Sequence, residues 1–403
     1  MARHTSLREA VSAPRRVLVI DHTAREGGAE LALLRIVERL PPAVEVDAAL
    51  FEEGGFADRL RAVGARVLVL PLDSGVNTAS RATLATPLAL LRSAARMATY
   101  VPRLSRAIRA SGTELVVANS LKSAVFVAFA APLAGRRWVW HLHDRLATDY
   151  LPGPLRAAMR MIAVVGPRRI VANSYATLST LPRAARSKTS VAYPGLDESS
   201  LDAETRPGRH ERPARRTVGI IGRISPTKGQ HEFLHAAAIV GRAHPDVRFC
   251  IVGAPLFGED DYAAQSVALA AELGIADRVE FTGWLADPRA AMRGMTVVVH
   301  ASPVPEPFGQ VVVEAMAAGI PVVATDAGGV REILAPDGVH EHLGELVPAG
   351  DEVAIAAGIA RILADPDAAR QRAEVARAAV RDRFTIDATV DAVLRSWTRA
   401  LRR

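Results

Sequence analysis

Residues 305–334 read PEPFGQVVVEAMAAGIPVVATDAGGVREIL. Pro305 and Pro307 stiffen a loop holding Glu306 and Phe308, and Gly309 lets the backbone approach a ligand closely. The apolar run from Val311 to Ala318 predicts a helix opening there. Its free N–H groups and dipole suit a phosphate lying in front of it. Glu314 falls about one turn inside, placed to accept hydrogen bonds from a diol such as a ribose. Gly319 closes the helix and Pro321–Thr325 reads as a buried strand. Gly328-Gly329 lies at that strand's end, where ligands of open α/β sheets collect.

The same rhythm extends outward. Strands are expected at Val17–Ile20, Val46–Leu50, Val67–Leu70, Leu115–Ala118, Trp138–Leu142 and Ile170–Ala172. They alternate with helices at Ala29–Leu40, Phe56–Val63, Pro87–Ala110 (interrupted near Pro102) and Ser123–Ala131. Asp197–Arg216, rich in Glu, Arg and Pro, breaks the pattern as a linker. It restarts with strands at Thr217–Ile221, Val247–Val252, Val279–Thr282 and Val297–His300 and helices at Gln230–Ala243 and Tyr262–Leu273. Helices at Val353–Asp365, Pro366–Arg383 and Ile386–Arg402 end the chain. Such alternation implies parallel sheets covered on both faces. The expected fold is α/β, with two doubly wound Rossmann-like domains facing each other across a cleft. The boundaries are a disordered leader at 1–15, a first domain at 16–196, a linker at 197–216, a second domain at 217–385 and a last helix over 386–403.

Composition narrows the class. A chain of 403 residues, 49% hydrophobic and 23% charged, has ample material for two cores and is neither disordered nor fibrous. The longest apolar run, Ala124–Ala134, contains Pro132 and is too short to span a bilayer. The first 16 residues hold no apolar stretch of the secretory kind. Cys250 is the single cysteine, lies in an apolar run, and reads as an inert buried thiol in a reducing cytoplasm. The net charge of +7 favours anionic partners. With only 5% aromatic residues and the basic excess spread along the chain, nucleic acid is not expected among them.

Three further constellations carry chemistry. Gly222-Arg223-Ile-Ser-Pro-Thr-Lys228-Gly229 follows a predicted strand and precedes a helix; Arg223 offers a bidentate fork and Lys228 a compact charge, a pairing suited to a diphosphate. Lys228 is one of three lysines among 50 basic residues. Gly27-Gly28 lacks the Gly-x-Gly-x-x-Gly spacing of a dinucleotide site and reads either as a close approach to a phosphate or sugar or as a tight turn. His141 and His143 share one face at the end of a strand. They are open to three readings: a structural pair, a metal site, or a role at a reacting sugar.

Together these residues resemble the retaining glycosyltransferases of the two-domain GT-B fold, in particular the large bacterial family 4. The carrying features are Glu306-x7-Glu314, Gly222-Arg223…Lys228-Gly229, Gly27-Gly28-Ala29-Glu30 and His143-Asp144, with weaker echoes at Val171–Ser174 and Phe281–Trp284. The likeness covers about residues 16–400, and Tyr193–Asp197 departs from the usual Asn-Gly-x-Asp. The resemblance implies a nucleotide-sugar donor held by the second domain. Arg223 and Lys228 would take the diphosphate, Glu314 the ribose, and Glu306 with Phe308 and Gly309 the sugar. Gln310 would border the donor, Gly27-Gly28 would close on the diphosphate, and His143 would lie near the anomeric centre. Glu306, His143, Arg223 and Lys228 are then the catalytic set, no metal or cofactor is required, and the last helix returns to the first domain.

The expected activity is transfer of a hexose-type sugar to a glycan or lipid-linked acceptor, in polysaccharide or glycolipid synthesis. The alternatives are a catalytically silent nucleotide-sugar binder and an epimerase on the same fold. Residues 81–109 carry Arg81, Arg92, Arg96, Arg103, Arg106 and Arg109 among apolar residues, which suggests either a solubilising face or peripheral contact with an anionic membrane at the cytoplasmic side.

Overall fold

The computed structural model describes residues 13–72, 87–202, 216–256, 258–285, 287–336 and 342–402, with backbone alone over 87–96. Residues 1–12 of the expected leader, 203–215 of the expected linker, Arg81, and the side chains of Arg92 and Arg96 lie outside the described residues. The chain divides into two compact units, Met1–Gly195 with Ile386–Arg403, and Leu196–Thr385.

In the first unit β1 (Arg16–Asp21), β2 (Glu45–Leu50), β3 (Arg66–Val69), β4 (Leu115–Ala118), β5 (Arg137–Leu142), β6 (Arg169–Ala172) and β7 (Thr189–Val191) pair in parallel, in the order β3-β2-β1-β4-β5-β6-β7. In the second, β8 (Thr217–Ile221), β9 (Arg248–Val252), β10 (Val279–Gly283), β11 (Val297–His300), β12 (Val322–Thr325) and β13 (Glu345–Val347) are also parallel, in the order β10-β9-β8-β11-β12-β13. Strands β4, β11 and β12 are buried along their whole length, as β-branched and small apolar strands with helices on both faces must be. Each order reverses once, between β1 and β4 and between β8 and β11. The crevice beyond the carboxyl ends at such a reversal is where open α/β sheets bind ligands.

The last helix, Ile386–Leu401, belongs to the first unit. It lays Ile386, Val390, Val393, Trp397 and Ala400, one face at helical spacing, against the core beside β5, β6 and the helix Gly28–Arg39. The return expected for this helix is therefore present.

Some expectations need correction. The helix Pro87–Ala110 runs through Pro102 without a break. Tyr100, Val101, Leu104 and Ile108 are buried on either side of the proline, and Ala98, whose carbonyl loses its amide partner, is exposed. The linker opens with a short helix, Glu198–Asp202. Strands β7 and β13 were not expected; three residues offer too little alternation to read. Nor was the helix Gly153–Val165, whose apolar residues occupy its outward face as well as its inward one. Cys250 is buried in β9, where burial pushes its thiol up to about 11.

Candidate functional site

At the reversal of the second sheet, the loop after β8 carries Gly222, Arg223 and Lys228, and the loop after β11 carries Ser302 and Glu306. Lys228 Nζ lies 2.7 Å from Glu306 Oε1. Ser302 Oγ donates to the same oxygen at 2.6 Å. His300 Nε2 stands 3.4 Å from it without a hydrogen-bond alignment, while His300 Nδ1 meets Thr325 Oγ1 at 3.2 Å. Burial works to raise the pKa of Glu306, but the Lys228 ammonium and then His300 hold it well below the usual carboxylate range. The carboxylate therefore stays ionised at neutral pH, an acceptor held beside a cation.

The backbone makes room for this pair. Gly309, at φ 102°, is the cap from which the helix Gln310–Ala317 starts, and Phe308 is buried behind it with its ring 5.8 Å from that of Phe384. Gly328, at φ 63°, lies against the Glu306 loop so closely that a Cβ there would fall 2.1 Å from the Glu306 carbonyl oxygen, and the Gly329 amide donates to that oxygen at 3.0 Å. The double glycine after β12 thus lets the loop after β12 stack on the Glu306 loop. Arg223, half-buried, has its carbonyl fixed by Gln230 Nε2 at 3.0 Å.

Glu314 has different surroundings. Gln310 Nε2 donates to it at 3.1 Å, and it lines a cavity of about 150 Å³ with Ser199, Ser200, Asp287, Arg289 and Met292. The two carboxylates of the Glu-x7-Glu pair are held in separate settings: Glu306 beside cations, Glu314 beside an amide and an open recess.

At the reversal of the first sheet the groups are of another kind. Asp21, at the end of β1, is fully buried. It accepts the His22 backbone amide at 2.6 Å and the Asn119 amide Nδ2 at 2.7 Å. Burial opposes its ionisation, but His22, Asn119 and Ser120 together hold its pKa below the ordinary value. Asn119 Oδ1, turned the other way, lies 3.1 Å from His143 Nε2. An amide oxygen only accepts, so His143 carries its hydrogen on Nε2 and leaves Nδ1 as a lone pair. Desolvation lowers the His143 pKa, opposed in part by Asp144 and Asp21. Sequence reading found His143 but not Asn119 or Asp21. Their only signal is that both end strands flanking the reversal.

His141 resolves toward structure. Its Nε2 accepts from the buried Trp397 Nε1 at 3.1 Å, the two rings stack at 5.8 Å and 18°, and burial, then His143, pushes its pKa down to about 3. Among the described residues no group of three His, Cys, Asp or Glu is disposed to hold a metal ion. Gly27 is extended (φ −121°, ψ −179°) and forms no tight turn. A Cβ there would fall 2.6 Å from Glu30 Oε2, so the glycine gives space to the Glu30 carboxyl. Burial, and then Asp21, pushes Glu30 up to about 8. Residue 30 was singled out in the sequence only as part of the Gly27-Gly28 motif, without a role.

Two doubly wound parallel units define a two-domain α/β protein of the GT-B type. Residues 202–379 match the family described as glycosyl transferases group 1, and residues 27–190 match the glycosyl transferase 4-like domain. The chain is 35% identical over 270 residues to D-inositol 3-phosphate glycosyltransferase of Segniliparus rotundus, an alignment covering 64% of this chain and 58% of that protein. The match to the protein of the same name from Mycolicibacterium smegmatis is also 35%, covering 63% and 58%. The aligned chain thus spans less than two thirds of the length of these relatives. Crystal structures of Anabaena HepE, in complex with UDP-glucose and with UDP and glucose, superpose with TM-scores of 0.76 and 0.78 at 30% and 29% identity, covering 94% of this chain and 98% and 97% of theirs. The chain belongs to the glycosyl transferases group 1 family.

Proposed function

We propose that this protein is a retaining glycosyltransferase that moves a hexose-type sugar from a nucleoside-diphosphate sugar to a hydroxyl of a glycan or lipid-linked acceptor in the cytoplasm, with no metal or other cofactor required. The observation that carries this reading is the Lys228–Glu306 pair at the second sheet's reversal, set before the opening of the helix Gln310–Ala317. The diphosphate lies against Arg223, Lys228 and that helix's free N–H groups. As the bond from the anomeric carbon to the diphosphate oxygen breaks, the charge growing on the oxygen meets groups already fixed in place. The acceptor hydroxyl attacks the same face, forms the new C–O bond, and its proton passes to the departing diphosphate. Glu306, held ionised, grips sugar hydroxyls with the backbone of Phe308 and Gly309 and with Gln310; Glu314 holds the ribose. His143, with its lone pair on Nδ1, serves at the anomeric end of the donor, and Gly27 and Gly28 contribute backbone to the diphosphate.

The presence of UDP-glucose in the HepE structure makes that sugar nucleotide the first donor to try. The test is incubation with UDP-, GDP- and ADP-sugars and candidate acceptors, followed by nucleoside-diphosphate release and the anomeric proton coupling of the product. Transfer with the donor's own anomeric configuration supports the proposal, and inversion overturns the retaining mechanism. Donor binding without turnover, or conversion of the donor sugar without transfer, would identify a silent binder or an epimerase instead.

A further inference from the structure

One face of the first unit's sheet differs in charge from the other. The helices Pro87–Ala110, Leu121–Leu133 and Gly153–Val165 cover it side by side, the first packed on the second and the second on the third, all seated on one apolar cluster. Together these helices carry eight Arg or Lys and no Asp or Glu. The opposite face differs: the helices Gly28–Arg39, Gly55–Ala62 and Ile386–Leu401 each carry at least one carboxylate. Among the described residues ten large apolar side chains are strongly exposed, and four of them sit on two of these adjoining acid-free helices. They are Phe129 (53%), Leu133 (55%), Met161 (61%) and Val165 (72%). Phe129 and Leu133, and likewise Met161 and Val165, are four residues apart, so each pair points one way from its helix. Pro154, Ala157 and Ala158 continue the stripe on the second of these helices, which presents no polar group outward along it.

Basic residues of the helix Pro87–Ala110 lie along one side of these apolar side chains. Arg103, Arg106 and Arg109 are exposed, and the Arg109 guanidinium donates to the Leu133 carbonyl at the patch edge. Of the bordering carboxylates, Asp149 is taken up by Arg145 at 2.8 Å and Glu114 accepts the Arg15 amide at 3.0 Å. A soluble face normally mixes both signs and keeps such apolar residues scattered. Here exposed apolar groups and cations occur together, with no helical carboxylate to repel an anion. That combination matches a surface whose own charge is negative and whose interior is apolar.

We propose that the outer face of these three helices docks on an anionic lipid bilayer, with Phe129, Leu133, Met161 and Val165 entering the headgroup boundary and the arginines meeting lipid phosphates. The docking centre is thus carried by helices 121–133 and 153–165, and Arg103, Arg106 and Arg109 are its rim. This does not depend on the donor reading.

The test is flotation of the full-length protein with vesicles of phosphatidylcholine alone and of phosphatidylcholine mixed with phosphatidylglycerol, at low and raised salt. The expected result is binding to the anionic vesicles only, weakened by salt. It should be reduced about tenfold or more in a variant carrying Phe129→Ser, Leu133→Ser, Met161→Ser and Val165→Ser. That variant should melt at the wild-type temperature, since its side chains are exposed, and keep any donor-induced thermal shift. A second variant, Met161→Trp, should show blue-shifted emission on adding anionic vesicles. Equal binding to both vesicle types, no binding, an unshifted tryptophan, or unchanged binding by the quadruple variant would overturn the proposal. So would a concentration-dependent dimer that the quadruple variant abolishes, because the face would then be covered by a second copy.

Discussion

The two sheets reverse their strand order in the same way and place opposite chemistry at the reversal. In the second unit the loops after β8 and β11 bring together an ammonium and an ionised carboxylate, Lys228 and Glu306, at 2.7 Å. In the first, the last residue of β1 and the residues that follow β4 and β5 form a chain of hydrogen bonds that starts from a buried carboxylate. Asp21 takes the Asn119 amide at 2.7 Å, and the amide's oxygen takes His143 at 3.1 Å. Charge is used directly in one place and indirectly in the other, to set which nitrogen of a histidine holds the hydrogen. Strand order therefore decides where such groups gather; the loops decide whether a charge or a tautomer is fixed there.

The sharpest way to break this comparison is Lys228→Ala. With the fixed cation gone, sugar transfer should fall roughly 10²–10³-fold, and Lys228→Arg should not restore it, because a planar fork replaces a point charge. Near-wild-type turnover in Lys228→Ala would remove the charged half of the contrast. The next effect concerns Glu30, whose folded-state pKa of about 8 lies above its ordinary 4.5. Between those values the folded chain keeps a proton the unfolded chain has lost, so this contribution to stability is full at low pH and is lost as pH rises toward 8. Glu30→Gln should flatten that fall, by about 2–3 kcal/mol after discounting for relaxation around the carboxylate. Urea melts of both proteins from pH 5 to 8 check it, and parallel pH profiles would contradict it.

A second stability change tests the structural histidine. Trp397→Phe removes the donor to His141 together with the pyrrole half of a fully buried indole, and should cost about 2–4 kcal/mol of stability, seen in the same melts. A variant as stable as wild type would deny that hydrogen bond a part in the fold. Last, Asn119→Ala should lower kcat about tenfold with the donor KM unchanged. It should also release His143 from a single Nε2–H tautomer, visible in its ¹⁵N shifts. An unchanged tautomer would break the hydrogen-bonded half of the comparison.

Much of the architecture was legible because strands buried on both faces write themselves as short runs such as VVVH at Val297–His300, and because Gly and Pro punctuate their ends. Glu306 and Lys228 were legible through glycine context. His300 and Ser302 were not. Nothing at spacing six and four before Glu306 marks them, and only the loop's turn brings them to one oxygen. Asn119 and Asp21 are 98 residues apart and meet only because β1 pairs with β4. Pro102 misled because local propensity was read without the four apolar side chains that seat the helix on both sides of it.

The central claim, that the second unit's reversal binds a nucleoside-diphosphate sugar through Lys228, is tested most directly by thermal shift of wild type and Lys228→Ala against UDP-, GDP- and ADP-sugars. A ligand at about 100 times its Kd adds roughly 2.7 kcal/mol, a rise of a few degrees. The account predicts that one nucleotide class stabilises the wild type and that Lys228→Ala loses most of that rise. Equal stabilisation of both proteins would contradict it.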